Sequence, residues 1–290
     1  MFEKFRRKIS AIYLKRKILF HYRNVQEPEI SELISNLRKI GLRPFLGNFI
    51  TKYDNFRTPV YRESGEGNFW VIHNGEKLFF PKETSAEIVE IMYMKLCREQ
   101  DMESPHRYVE NYDDLNDCYL VEAGAAEASF SLDAVRRAKK VYICECSPGW
   151  IEPLKKTFEP YKEKVQIIQK YVAQADSEKS VTIDTIIEQA VKEDGLCYES
   201  DKIFIKMDIE GMEEEAISGM KEVMRKAKNI SLVICAYHKQ DAEKRIRSLF
   251  SDEMWEISTS KSYMLFPYEK KQKPPYFRRG VLRITKRNMD

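Results

Sequence analysis

From Cys118 onward the chain alternates short apolar runs with amphipathic segments, a rhythm that restricts it to repeated strand–helix units around a parallel sheet. The runs are CYLVEAG (118–124), KVYICE (140–145), KVQIIQK (164–170), KIFIKMD (202–208) and ISLVICAYH (230–238). Between them, Ser129 to Ala138, Trp150 to Tyr161, Ile183 to Lys192, Glu213 to Ala227 and Asp241 to Phe250 place apolar residues at helical spacing. Two more strands are expected around Trp255 to Thr259 and Arg279 to Thr285, forming an antiparallel hairpin at one sheet edge. The expected class is α/β, a Rossmann-like sheet over 118–290 with helices on both faces.

Residues 1–117 read as a helical and hairpin-bearing extension. Pro28 to Ile40 opens on a proline at a favoured first position, and Ala86 to Gln100 has helical periodicity. Asn68 to Phe80 is a hairpin turning at Asn74-Gly75. No loose linker precedes Asn116, so the extension is expected to pack on the sheet domain. With 43% hydrophobic and 33% charged residues, fibrous and wholly disordered classes are excluded. The six cysteines are scattered without a CxxC pair, several inside apolar runs, and read as buried thiols of a reducing compartment. No apolar run approaches the roughly 18 residues of a membrane span, so a cytoplasmic location is expected. A net charge of +3 names no partner, but both ends are basic. Residues 1–23 carry eight Lys or Arg against Glu3, with Phe2, Phe5, Ile9, Ile12 and Tyr13 spaced for one helical face, and residues 270–287 carry eight more and no acid. Such ends suit a solvated cap, or contact with an anionic membrane or lipid-linked substrate.

A strand followed at once by a glycine turn and a helix aims backbone N–H groups at the strand's carboxyl end, where ligands bind in open α/β sheets. Here that element is Glu122-Ala123-Gly124-Ala125-Ala126-Glu127-Ala128. A dinucleotide fingerprint needs three glycines in G-x-G-x-x-G, and only Gly124 is present, which disfavours pyrophosphate and a nicotinamide oxidoreductase. Glu122 could meet an amino group of a ligand without phosphates. Glu145 ends the second strand, where an acid commonly accepts both ribose hydroxyls, with Cys146 beside it. Lys206-Met207-Asp208-Ile209-Glu210-Gly211 closes a strongly apolar strand with three charges, costly unless they are paired or working.

At these residues the sequence resembles the FkbM family of S-adenosylmethionine-dependent methyltransferases. The carrying segments are EAGAAEASFSL (122–132), VYICECSPGWIEPLKKTF (141–158), VTIDTI (181–186), FIKMDIEGMEEEAISG (204–219) and ICAYHK (234–239). EQDMESPHRY (99–108) and PPYFRRGVLR (274–283) are also similar. The resemblance implies a class I methyltransferase fold, S-adenosyl-L-methionine as cofactor, and O-methylation of a small-molecule or carbohydrate hydroxyl. It departs from the family's pattern at Glu122, where Asp is usual, and at Ala128, which adds a methyl to a turn that often ends in Gly.

Cofactor contacts are then expected from Glu122, Gly124, Ala125, Glu145, Cys146 and Asp208. Gly124→Val is expected to abolish binding while the protein still folds. Asp208, Glu210 and His238 are the candidates for the base or hydroxyl-orienting group, His238 because imidazole titrates near neutrality. Their ligand count is incomplete for a metal, and none is expected. His106, Arg107 and Tyr108 lie where a lid or substrate contact would come from, Arg107 being able to grip a carboxylate. Lys273-Pro274-Pro275-Tyr276 lacks the Asp or Asn that amino-group methyltransferases place before their prolines, so nucleic acid is not an expected partner. The rival class is a non-catalytic binding protein that keeps the fold and acts through its basic ends.

Overall fold

A computed structural model of the chain describes residues 2–269 and 272–287. Helices α1 (Phe2–His21) and α2 (Pro28–Ile40) precede a small antiparallel sheet of β1 (Tyr61–Arg62), β2 (Phe69–His73) and β3 (Glu76–Phe80), then helix α3 (Ala86–Glu99). The β2–β3 turn falls at Asn74-Gly75, and both residues have positive φ, 49° and 90°. That conformation matches the strand twist and is open to few residue pairs besides Asn-Gly.

The apolar runs then form β4 (Cys118–Ala123), β5 (Lys140–Cys144), β6 (Val165–Ile168), β9 (Lys202–Met207) and β10 (Asn229–Cys235). The pairs β7 (Tyr171–Val172) with β8 (Ser180–Val181), and β12 (Met264–Leu265) with β13 (Phe277–Arg278), are separate two-stranded ribbons. With β11 (Trp255–Thr259) and β14 (Val281–Lys286), the main sheet has seven strands in the order β11-β14-β10-β9-β4-β5-β6. The expected edge hairpin takes a particular form. β11 occupies the edge, the long 260–280 connection turns back, and β14 enters between β11 and β10, antiparallel to both. Strand order reverses between β4 and β9, so the crevice beyond their carboxyl ends is the switch point of the sheet.

Helices cover both faces. Helices α6 (Ile183–Glu193), α7 (Glu213–Ser218), α8 (Lys221–Lys226) and α9 (Ala242–Arg247) bury Ile183, Ile187, Ala216, Val223 and Ile246 against one face. Helices α4 (Ser129–Ala134) and α5 (Pro148–Thr157) cover the other, together with α3 and the hairpin, whose Val89, Tyr93, Val71 and Leu78 share one core with Leu120 and Val141. The core is thus continuous across residue 117. Ile18 of α1 is buried against Leu33 and Leu37 of α2 and Phe277, while Ile12, Tyr13 and Phe20 are exposed. Of the expected face, Ile12 and Tyr13 are exposed and the side chains of Phe2, Phe5 and Ile9 lie outside the described residues, while Leu14, Ile18 and Leu19, with Tyr22 just past the helix, pack inward. Tyr276 belongs to this same cluster, away from the crevice. Among the described residues no helix is long and apolar enough to cross a membrane. All six cysteines are free; Cys118, Cys144 and Cys235 are buried, but Cys197, expected inside, is exposed.

The single helix expected over Glu213 to Ala227 is two, broken at Gly219. A Cβ there would lie 2.2 Å from the carbonyl oxygen of Ala173, so the chain must stay bare where the loop after β7 crosses it. Gly149, in α5, has only Ser147 Oγ at 4.0 Å from the same position. Gly219→Ala should therefore lower stability by about 1–3 kcal/mol through overpacking. Gly149→Ala should leave it unchanged or raise it by up to about 1 kcal/mol through helix propensity. Urea unfolding of the two variants checks the contrast, and equal midpoints would refute the close approach at Gly219.

Candidate functional site

The β4–β9 register places Glu122 directly opposite Lys206. Both side chains are fully buried, with Nζ 3.1 Å from Glu122 Oε1 and donating to the Gly124 carbonyl at 2.7 Å. The Glu122 carboxylate also accepts from the Ser131 backbone N–H and hydroxyl. Burial alone would lower the Lys206 pKa, but Glu122 and Asp208 outweigh it and raise the value, so the ammonium stays charged. Glu122 was expected to meet a ligand amine; its charge is instead neutralised inside the sheet by Lys206.

Two residues further along β9's direction, Asp208 is the centre of a second cluster. Burial pushes its pKa up, yet His238, Lys206 and His106 hold the carboxyl well below the usual range. Tyr108 donates to Oδ2 at 2.8 Å and Tyr237 to Oδ1 at 3.3 Å. His238 lies between two acids, with Nε2 3.2 Å from Asp208 Oδ1 and Nδ1 2.8 Å from Glu213 Oε1. Burial opposes its charge, but the two carboxylates push its pKa up to about 9. His238 is therefore an imidazolium at neutral pH and has no lone pair with which to act as the expected base. Asp208, held well below the usual carboxylate range, is a weak proton acceptor as well. Glu210 adopts positive φ (55°) and is 92% exposed, at the rim rather than inside the cluster. Glu213, at the start of the following helix, ties the loop by accepting from the N–H groups of Ile209 and Gly211.

The expected lid is a buried wedge. His106 is almost fully buried, with Nε2 3.0 Å from the Tyr237 hydroxyl, and Tyr108 reaches Asp208. Arg107 points the other way and donates to the Gln100 carbonyl. The segment is fixed to β14: Arg283 donates to the carbonyls of Tyr108 and Arg107, and Gly280 leaves room for the Pro105 carbonyl, which would lie 2.1 Å from a Cβ.

These clusters floor a cavity of about 550 Å³ at the switch point, lined by Gly124, Ala125, Glu127, Glu145, Cys146, Tyr108, Asp208 and Glu99 among others. Glu145 is held in place from both sides, Oε2 accepting from Ala126 N–H at 2.8 Å and Oε1 from Ser147 N–H at 2.7 Å. Each oxygen keeps a lone pair for a hydroxyl. Gly124 has φ 74°, and a Cβ there would fall 1.9 Å from the Asp208 carbonyl oxygen. Gly124→Val would accordingly strike the sheet backbone itself, so the expectation of lost binding with an intact fold does not survive. Ala128 also takes positive φ, but it is buried in the core against this face, so its methyl does not narrow the cavity.

Two acids were missed. Glu127 sits within the glycine turn, and burial raises its pKa to about 8. Glu99 ends α3, and burial, with Asp208 nearby, raises its pKa as well. Among the described residues no side chain donates to either carboxylate, and Glu127 is met only by its own backbone N–H. Glu127 was legible as an acid within the turn; Glu99 carries no local signal, because only the docking of α3 brings it to the strand ends.

Lys206→Met should cost about 3–5 kcal/mol by leaving a buried carboxylate unpaired, and Glu122→Gln combined with Lys206→Met should recover most of it. Denaturant titrations of the two variants test this, and a double variant no better than the single would refute the pairing. The raised His238 pKa contributes stability that is complete below its ordinary 6.5 and lost as pH rises to about 9. Glu127 acts in the same direction, so the informative quantity is the difference from His238→Gln. The wild-type advantage should shrink by on the order of 2–3 kcal/mol between those pH values. A pH-independent difference would refute the charged clamp.

No family model matches this chain, and no curated protein matches it. Among solved structures, methyltransferase FkbM from Methylobacillus flagellatus is 17% identical over 69% of this chain and 53% of that one, with a TM-score of 0.40. A precorrin-6y C5,15-methyltransferase from Geobacter metallireducens is 19% identical over 61% and 85%, with a TM-score of 0.38. An rRNA methylase from Streptococcus thermophilus is 10% identical over 62% and 94%, also at 0.38. The chain spans about half the length of the first of these. The α/β fold stands on the strand order of the sheet itself.

Proposed function

We propose that this chain is an S-adenosylmethionine-dependent methyltransferase acting on a hydroxyl of a small molecule or carbohydrate. One observation carries the reading: the switch-point cavity is walled by carboxylates in excess. Glu122 and Asp208 are matched by Lys206 and His238, whereas Glu99, Glu127, Glu145 and Glu210 also line the cavity without an ion pair to Lys170, the remaining lysine on its wall. Burial raises the pKa of Glu99 and Glu127 in the empty cavity, and an entering cation would draw these acids back to their charged form, so the wall favours a cationic ligand over a phosphate, which suits a sulfonium bearing an amino group and disfavours a dinucleotide. The volume lies within the roughly 300–1,000 Å³ of small-ligand pockets.

In this reading Glu145 receives the ribose hydroxyls, and Gly124 and Ala125 present the turn to the methionine portion. Glu127 faces the cationic groups. Cys146 lies beside Glu145 on the wall. When bound, the cofactor supplies an activated methyl group. The chain's own contribution is mainly to hold an acceptor oxygen in line, an effect worth up to roughly 7–11 kcal/mol. The clamped Asp208–His238–Glu213 array keeps the strand ends rigid while Glu99, unpaired and with its pKa raised, takes the hydroxyl proton on its carboxylate.

Calorimetric titration with S-adenosylmethionine tests this directly. Wild type should release or absorb heat at a single site, and Glu145→Ala, checked for folding by its thermal melt, should bind roughly tenfold to a hundredfold more weakly. No heat with wild type would favour a binding protein that merely keeps the fold. Unchanged affinity in Glu145→Ala would remove the ribose assignment.

A further inference from the structure

A second cavity of about 460 Å³ opens beside the first, and Glu99 and Glu210 belong to the walls of both. Its walls come from regions far apart in sequence: Phe45, the last turn of α3, the end of β10, the 264–269 segment and Arg278. One side is aromatic, with Tyr237 and Phe266 stacked at 5.1 Å between ring centroids and 10° between planes. The other side is cationic. Arg278 is matched, since it pairs with Glu269 and donates to the Tyr237 carbonyl. Arg98 is not. Its guanidinium lies 5.3 Å from the Phe45 ring, its Nε is buried without a hydrogen-bond partner, and no acid lies within ion-pair distance among the described residues. Lys95, one turn earlier on α3, also lines the cavity and also lacks an acid partner among them.

The end of α3 offers the partial negative charge of its last carbonyls, but none accepts from Arg98. A half-buried guanidinium whose buried Nε–H makes no hydrogen bond is costly, and a carboxylate or phosphate is the group that satisfies its planar fork. Because Glu99 stands between the two cavities, a molecule in the second can present a hydroxyl toward the first while its far end meets Arg98.

We infer that the second cavity is the acceptor chamber and that it takes a hydroxylated anion with a flat or apolar body, its carboxylate or phosphate held by Arg98 and Lys95 and its ring against Tyr237 and Phe266. The word acceptor rests on the methyltransferase reading above; the anion site does not.

The experiment measures binding to the full chain of three probes, 4-hydroxybenzoate, phenyl phosphate and the neutral 4-hydroxybenzamide, by ligand-observed NMR titration, alongside calorimetry with S-adenosylmethionine. At least one anion should bind about tenfold or more tighter than the amide, and the stronger of the two identifies the favoured anionic group. Arg98→Gln should remove that preference and leave S-adenosylmethionine affinity unchanged. Lys95→Gln, at an exposed position, should weaken the anion in the same direction if Arg98→Gln fails to fold. Equal affinity of acid and amide, absence of binding by any probe, or wild-type anion affinity in the folded variants would overturn the proposal. Anion binding without any binding of S-adenosylmethionine would instead overturn the methyltransferase reading and leave the anion site standing.

Discussion

Lys206 brings a positive charge into the interior of the sheet, and the arrangement of the site depends on how that charge is answered. An unpaired ammonium at that depth would cost several kcal/mol, so its neighbours are constrained. The parallel register between β4 and β9 sets Glu122 opposite it, and the Gly124 carbonyl accepts a hydrogen bond from it. The same side chain helps hold Asp208 ionised beyond the strand end. The glycine turn and the acidic strand end are thereby fixed to one another before any ligand is considered.

Alternation along β9 carries the pattern outward. Phe204, Lys206 and Asp208 fall at every second position, so one face passes from apolar core to ion pair to crevice within a few residues. At the outer end Asp208 gathers Tyr108, Tyr237 and His238, each from a different part of the chain. A carboxylate so surrounded by donors and cations is a poor proton acceptor and a good scaffold. The groups left without an ion-pair partner, Glu99, Glu127 and Arg98, line the two cavities, which is why the proposed chemistry is placed on them.

The extension over residues 1–117 takes part in the site rather than decorating it. It supplies Glu99 and Arg98 from α3, and Tyr108 and His106 from the wedge that β14 holds down. The continuous core beneath it, joining Val71 and Val89 to Leu120 and Val141, explains why these side chains can be placed accurately on a sheet whose strands lie elsewhere in sequence.

The sequence by itself determined what depends on short-range periodicity. The five parallel strands, the glycine turn, the Asn74-Gly75 hairpin and the acids at the ends of β4, β5 and β9 were all legible, because strand alternation and turn chemistry act over a few residues. Tertiary structure decided what depends on who sits next to whom. Glu122 reads as a free ligand group until the register pairs it with Lys206. His238 reads as a base until Asp208 and Glu213 close on it and favour its protonated form. Gly124 reads as ligand clearance until the Asp208 carbonyl is found against it, and the helix over Glu213 to Ala227 reads as one until Ala173 crosses Gly219. Burial and charge pairing are sums over neighbours from distant segments, so no local pattern encodes them, and the protonation states of the crevice were fixed only when the chain closed around it.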